Sequence, residues 1–293
     1  MDCQAEICSL LFQIVPYCSL EPERLAKKRD ELKFFLVDAF TNHAFGGNPA
    51  AVVPLEAWLP DATMQRMAME HNQAETAFFV PEADGYGLRW FTPTLEVDFC
   101  GHATLATAKV LFDELGFDQT TIKFFTQVGE LRVTKNADWL EMDFPAFIPE
   151  VVLEPPEELL LGIGAKPVQI LKNFENYFLL LESETAVREV TPNYLELAQV
   201  HPYSVCITAK GDTADFVSRY FAPSYGIPED AVTGSIHATL TPFWAARLGK
   251  TKLEARQLSN RGGVLKCELL GNRVLICGQA MVYMRGEITT NIQ

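Results

Sequence analysis

The sequence predicts an α+β protein of two pseudo-symmetric halves, each a sheet wrapped around one central helix. Three observations lead there: an internal repeat, two helices apolar on nearly every side, and many short strand-like runs. Arg89-Trp90-Phe91-Thr92-Pro93 is echoed by Arg219-Tyr220-Phe221-Ala222-Pro223. Gly101 to Gly116 then aligns with Gly234 to Gly249 without a gap, and Gly129-Glu130-Leu131-Arg132-Val133 resembles Gly263-Val264-Leu265-Lys266-Cys267. Matches in a constant order mark one unit used twice. Leu115-Gly116 and Leu248-Gly249 place a glycine after each helix, where a left-handed cap is favoured.

The repeated helices are expected at 102–114 and 235–247. Leu105, Ala106, Ala108, Val110, Leu111 and Phe112 leave almost no polar face in the first, so it should be buried all round. Pro242 falls inside the second, where it should remove a hydrogen bond and produce a kink. Strands are expected at 34–40, 51–54, 77–80, 88–91, 122–125 and 140–144 in the first half. The second half offers 169–171, 177–181, 205–208, 216–220 and 274–277. Many strands with one buried helix per half imply a sheet curled around that helix. The Pro- and Glu-rich run 145–158 reads as the crossing between halves.

The length of 293 residues suits two domains. The first is placed at 34–148, completed by a C-terminal strand at 280–293, and the second at 149–279. Residues 1–33 read as an extension outside the fold. Ile7 to Val15 is apolar, but Asp2 and Glu6 precede it, and a secretory signal wants a basic start. No run approaches the roughly 20 apolar residues of a membrane helix. The net charge of −14 argues against a nucleic-acid partner, which needs clustered cations. Seven cysteines without framework spacing read as free thiols in a reducing, cytoplasmic compartment.

A pseudo-twofold arrangement would let the helix starts near Gly101 and Gly234 face each other. Each start offers unpaired N–H groups and partial positive charge, and together they suit a carboxylate. Glu75 follows a helical stretch (Asp61 as N-cap; Met64, Met67 and Ala68 inward) and opens a strand. Alternation puts it on the side of Ala77 and Phe79, where partial desolvation would raise its pKa toward that of a proton shuttle. On the residues alone, a solvated strand-end glutamate stands beside that reading.

The runs Asp38-Ala39-Phe40, Gly47-Asn48-Pro49-Ala50-Ala51-Val52, Asn72-Gln73-Ala74-Glu75-Thr76, Phe91-Thr92-Pro93, Cys100-Gly101-His102-Ala103-Thr104 and Glu229-Asp230-Ala231-Val232-Thr233-Gly234-Ser235 resemble the PhzF-like phenazine-biosynthesis family. They lie in family order across about 34–288. The resemblance implies the diaminopimelate-epimerase fold, two domains each with a mixed sheet around a helix, and an active site between them. It also implies a homodimer and a cofactor-free isomerase acting on a small carboxylate. Glu75 matches the catalytic carboxylate, and Gly101, His102, Asp230, Gly234 and Ser235 match substrate-binding positions. Departures are Ala231, where proline is common, and the long N-terminal extension.

Racemases of this fold use two cysteines, but here Thr233 stands opposite Cys100. Threonine supplies no thiolate, which argues against a symmetrical two-thiol racemase. Cys100 is read as a small buried residue, with an auxiliary role for it and Thr233 left open; His237 is read as core. Two alternatives stand beside the isomerase: a non-catalytic small-molecule binder of the same fold, and a dehydratase using Cys100 or Glu75 with Thr233. Gly162-Ile163-Gly164 lacks the third glycine of a dinucleotide fingerprint, no Walker loop occurs, and no Cys or His pair has zinc-ligand spacing. The expectation is therefore no metal and no cofactor.

Overall fold

A computed structural model describes residues 31–289. Most of the expected extension, with the apolar run 7–15, lies outside the described residues. Its boundary moves slightly, because Leu32 and Lys33 already belong to the first strand.

In the first half, β1 (Leu32–Ala39), β2 (Asn48–Pro54), α1 (Asp61–His71), β3 (Glu75–Glu82) and β4 (Gly85–Phe91) come first. The short β5 (Glu96–Val97) leads into α2 (Gly101–Asp113), followed by β6 (Thr121–Thr126), β7 (Gly129–Asn136) and β8 (Trp139–Pro145). The chain then crosses through β9 (Glu150–Val151) and α3 (Glu157–Ile163). The order recurs with β10 (Gln169–Lys172), β11 (Asn176–Leu180), α4 (Glu184–Glu189), α5 (Tyr194–Leu197), β12 (Ser204–Lys210) and β13 (Phe216–Ala222). It ends with β14 (Ile227–Asp230), α6 (His237–Leu248), β15 (Lys252–Gln257), β16 (Gly263–Leu270), β17 (Arg273–Gly278) and β18 (Ala280–Ile288).

Pairing follows the repeat. In the first half β2 runs parallel to β3 and β4 parallel to β6, with β3–β4, β6–β7 and β7–β8 antiparallel. In the second, β11–β12 and β13–β15 are parallel, and β12–β13, β15–β16 and β16–β17 antiparallel. The last strand, β18, returns to pair with β1 of the first half. The halves join where β8 pairs antiparallel with β17, and Met142 lies opposite Ile276. These two residues stand equally far beyond the repeat glycines Gly129 and Gly263, so each faces its own counterpart. The pseudo-twofold axis passes through that pair.

The repeated arginines have equivalent partners. Arg89 makes a two-pronged bond to Glu96, with both distances 2.7 Å, and Arg219 does the same to Glu229 at 2.8 and 3.0 Å. Each fork ties a long strand to the short strand that delivers the chain to a central helix. Planar guanidinium–carboxylate pairing fixes orientation as well as distance.

Both central helices are buried as the apolar pattern requires. Leu105, Val110 and Leu111 of α2 share one continuous core with Leu240, Phe243 and Trp244 of α6. Smaller cores lie under α1 (Met64, Met67, Ala68) and under α3 to α5 (Leu159, Ile163, Val187, Leu197). Pro242 cannot donate to Ala238 one turn back, and that carbonyl accepts instead from the Phe147 N–H of the crossing segment at 3.0 Å. Among the described residues no helix is long and apolar enough to cross a membrane, and Cys100, Cys206, Cys267 and Cys277 are free thiols.

Two helix starts differ from expectation. Pro60, not Asp61, is the N-cap of α1; Asp61 instead reaches Arg89 at 2.9 Å. The regular helix α6 begins at His237 rather than Ser235. Gly234, Ser235 and Ile236 form a tighter turn, with His237 N–H on Gly234 O and Ala238 N–H on Ser235 O, both 3.0 Å. Residue-to-residue spans of three mark it as 3₁₀-like, a common way to enter a helix.

One ion pair clamps the halves near the site. Asp38 of β1, buried, accepts from Arg261 at 2.7 Å and from the Phe45 N–H at 3.1 Å. Arg261, from the β15–β16 loop, also donates to the carbonyls of Gly47 (2.8 Å) and Gly46 (2.9 Å). Removing the cation leaves a buried carboxylate uncompensated. Arg261→Met should therefore lower the unfolding free energy in urea by about 2–3 kcal/mol, with partial recovery on adding Asp38→Asn. A loss below about 0.5 kcal/mol, within the range of ordinary surface changes, would show the clamp to be incidental.

Candidate active site

Glu75 reaches the centre of the molecule because α1 stops just before it. Asn72 takes the left-handed conformation at the end of α1 (φ 49°), which asparagine tolerates better than most residues. The chain then enters β3 beside β2, with Glu75 opposite Ala50. Every residue from Glu75 to Val80 is buried, so the carboxyl has lost most of its water. Burial first, and negative charge on Asp230 second, raise its pKa from 4.5 to about 8, while a hydrogen bond from Cys100 pulls weakly the other way.

Cys100, Gly101 and His102 stand at the start of α2. His102 Nε2 lies 3.2 Å from Glu75 Oε2, yet neither atom has a well-aligned hydrogen-bond partner. Burial lowers the His102 pKa to about 3. The contact is therefore between two neutral groups at pH 7, not an ion pair. On its other side His102 Nδ1 lies 3.2 Å from Asn48 Nδ2 and 3.4 Å from Cys100 Sγ. Asn48 Nδ2 has two hydrogens and three neighbours, and the nearer two are Asp230 Oδ1 (2.7 Å) and the Val232 carbonyl (2.9 Å). Asn48 thus bridges the halves, tying the first strand pair to the turn that carries Asp230.

That turn is held from below by Gln257, which is fully buried. Its Oε1 accepts from Thr233 N–H at 2.8 Å, and its Nε2 donates to Asp230 O at 3.0 Å and Thr233 Oγ1 at 3.2 Å. The Thr233 hydroxyl donates to Asp230 Oδ2 in turn. Burial raises Asp230 to about 6, against the hydrogen bonds from Thr233 and Asn48 that favour its charged form.

The two glycines meet where the helix starts converge. A Cβ on Gly101 would lie 4.0 Å from Gly234 Cα, and one on Gly234 would press on the Phe40 ring at 3.0 Å. A side chain at 234 would fit only if the Phe40 ring gave way by a few tenths of an ångström. At Gly101 nothing is nearer than 3.9 Å, so the protein's own packing would admit a side chain there.

Glu75, Cys100, Gly101, His102, Asp230, Thr233, Gly234 and Ser235 are therefore brought together, the last half-buried in the turn before α6. His237 is set apart in the core; it is fully buried, its Nδ1 on the Thr233 carbonyl at 3.0 Å. Asn48 and Gln257 were missed as site residues. Asn48 lies inside a motif and opens an apolar strand as a polar residue; Gln257 is the polar residue in the buried phase of the Leu253, Ala255, Gln257 alternation, a signal visible in the sequence. Glu75, Cys100 and His102 present ligand atoms within 4.8 Å of one another, close enough for a metal ion. Their protonation opposes it: burial, then the Glu75 charge, holds the Cys100 thiol well above its usual pKa, and an ion would have to displace protons from both Cys100 and Glu75.

Strand register exposes an asymmetry across the pseudo-axis. Thr76 pairs with Phe91, and Val205 with Phe221, so Ser204 is the counterpart of Glu75. The gapless helix alignment makes Thr233 the counterpart of Cys100 and Ser235 that of His102. Glu75, Cys100 and His102 of the first half thus have three hydroxyl residues, Ser204, Thr233 and Ser235, as their counterparts in the second.

The family profile described as "Phenazine biosynthesis-like protein" matches residues 37–286. An uncharacterized isomerase of Pseudomonas aeruginosa is 46% identical over 258 residues, covering 88% of this chain and 99% of its own. The crystal structure of a PhzF-family protein from Enterococcus faecalis is 44% identical with a TM-score of 0.86, covering 89% of this chain and all of that one. A hydroxyproline epimerase from Agrobacterium vitis, 10% identical with a TM-score of 0.61 over 90% of this chain and 94% of its own, shares the fold alone. Motifs, topology and these likenesses agree: the chain belongs to the phenazine biosynthesis-like, or PhzF, family.

Proposed function

We propose that this protein is a cofactor-free isomerase that moves a proton between two carbons of a small carboxylate, with Glu75 as the acid–base group. The observation that carries this reading is the asymmetry across the pseudo-axis. A buried carboxyl tuned to about 8 stands on one side; its counterpart on the other is the hydroxyl of Ser204, and the carboxyl placed there, Asp230, is engaged by Asn48 and Thr233. Inversion at one carbon is served best by two bases, one per face; a shift along one face needs only one. The relatives named isomerase support the same class.

In the proposed sequence, ionised Glu75 takes a proton from carbon and becomes a carboxylic acid. The electron pair left behind delocalises through an adjacent C=C bond of the substrate, which shifts by one position as the second carbon is protonated. Negative charge develops toward the substrate carboxylate, near the N–H groups that open α2 and the Gly234 turn. Preorganised donors of this kind stabilise developing negative charge without reorganisation. The acid then returns the proton to a second carbon, restoring the carboxylate. His102, neutral and 3.2 Å away, stands beside Glu75 without competing for the proton. The free approach at Gly101 suits close contact between the substrate and the helix start.

Cys100 does not fit a leading role. Burial and the Glu75 charge keep it a thiol, and the Thr233 hydroxyl is committed to Asp230. Both points weigh against the dehydratase alternative. Cys100→Ala should keep at least about a tenth of wild-type turnover, a barrier change of no more than ~1.4 kcal/mol; loss of several orders of magnitude would make the thiol a catalytic group.

Glu75→Gln keeps shape but cannot shuttle a proton. It should bind ligand about as well as wild type while losing roughly 10²-fold or more in rate, and near-normal turnover would reject the mechanism. The same variant reports on stability. A carboxyl whose folded pKa is raised holds its proton longer in the folded state, so wild type loses stability as pH rises from 4.5 to about 8. Glu75→Gln should therefore gain on wild type across that window, by a few kcal/mol in order of magnitude, and match it near pH 4.

The base must be ionised to act, so kcat/KM should climb toward a plateau above about pH 8. Charge on Asp230 helps hold Glu75 high. Asp230→Asn should then move that rising limb to lower pH, whatever it does to the maximum. A limb that stays in place or moves upward would break the proposed coupling.

A further inference from the structure

A second cavity of about 360 Å³ opens at the junction of the halves, lined by Arg188, Arg256, Arg261 and Lys266 with Glu254 as the one acidic residue on its wall. None of Glu75, Cys100, His102, Asp230 or Ser235 lines it. Four cations around one hollow stand out in a chain of net charge −14, and a cleft lined largely by one sign of charge concentrates counter-ions.

Two of the four are already neutralised. Arg261 is bound to Asp38 and to the Gly46 and Gly47 carbonyls, and Arg188 is bound to Glu184. Lys266 is not, and Arg256 is only partly. Lys266 forms no ion pair among the described residues; its ammonium rests on the Trp139 ring, 4.0 Å from the centroid. Arg256 meets Glu254 only at 3.4 Å, and its Nε is buried with no hydrogen-bond partner. A buried guanidinium N–H without an acceptor is costly, and an oxyanion between Arg256 and Lys266 would satisfy it.

We propose that this cavity is a second binding site, for a compact metabolite bearing two or more oxyanion charges. Arg256 supplies a planar fork suited to phosphate or carboxylate, and Lys266 a mobile point charge beside it. The site shares two walls with the acid–base centre. Phe40 lines the cavity and packs on the Gly234 turn, and Gln257 lines it while holding Thr233 and Asp230.

Calorimetric titration of the full chain with inorganic phosphate, then with citrate, at constant ionic strength tests this, and the preferred anion identifies phosphate or carboxylate chemistry. Saturable binding should weaken about tenfold in Lys266→Gln and in Arg256→Gln, the effect of removing one charge-assisted hydrogen bond. It should be unchanged in Gly101→Ala, whose methyl fits the packing but obstructs the approach to the start of α2, and this separates the cavity from the acid–base centre. Lys266 is exposed, so its variant decides the matter should Arg256→Gln melt early. No saturable binding of either anion to wild type, or binding that survives the Lys266 substitution, would overturn the proposal.

Discussion

The antiparallel pairing of β8 with β17 is the constraint from which the rest of the arrangement follows. Its register sets Met142 against its own repeat counterpart, Ile276, and so fixes the relative orientation of two units that share one topology. A slip of one residue would turn every side chain in the pair to the opposite face. With the register as it is, the two central helices share a core and their starts converge at Gly101 and Gly234. Asn48 and Arg261 then lock that convergence, each bonding across the join.

The convergence makes a dry site, and dryness sets the protonation states. Glu75 and His102 lie within contact distance, yet each is more stable uncharged than ionised at neutral pH because burial costs more than their attraction returns. A proton on Glu75 is therefore held loosely enough to leave near pH 8 and tightly enough to be kept as acid. Asp230 contributes from the second half through its charge, while its own ionised form is supported by Asn48 and Thr233. The first half holds Glu75, the carboxyl of raised pKa; the second supplies Asp230, whose charge raises it further.

Much of this was legible in the sequence. The repeat located both central helices, and Pro242 announced a missing hydrogen bond, though only the structure shows Phe147 filling it. The repeated arginines were visible, whereas their partners Glu96 and Glu229 were hidden in two strands too short to show a period. β7, β15 and β16 are not among the expected strands, although charged residues alternate with apolar ones along them, because they lack the continuous apolar runs that marked the others. The candidate site residues rest on motif resemblance more than on physics. Spacing along a chain cannot reveal that Asn48 and Gln257 meet Asp230 from opposite halves, nor that Ser204 takes the place of Glu75 across the axis. Those facts belong to strand register, which depends on long-range pairing.

The account depends most on Glu75 being the group that exchanges protons with carbon. The most direct measurement is incubation in deuterated water with a panel of small carboxylic and amino acids, read by mass spectrometry for wild type and Glu75→Gln. Solvent deuterium should appear at carbon in at least one compound with wild type and be lost with the variant. Carbon-bound deuterium accumulating equally with Glu75→Gln would contradict it.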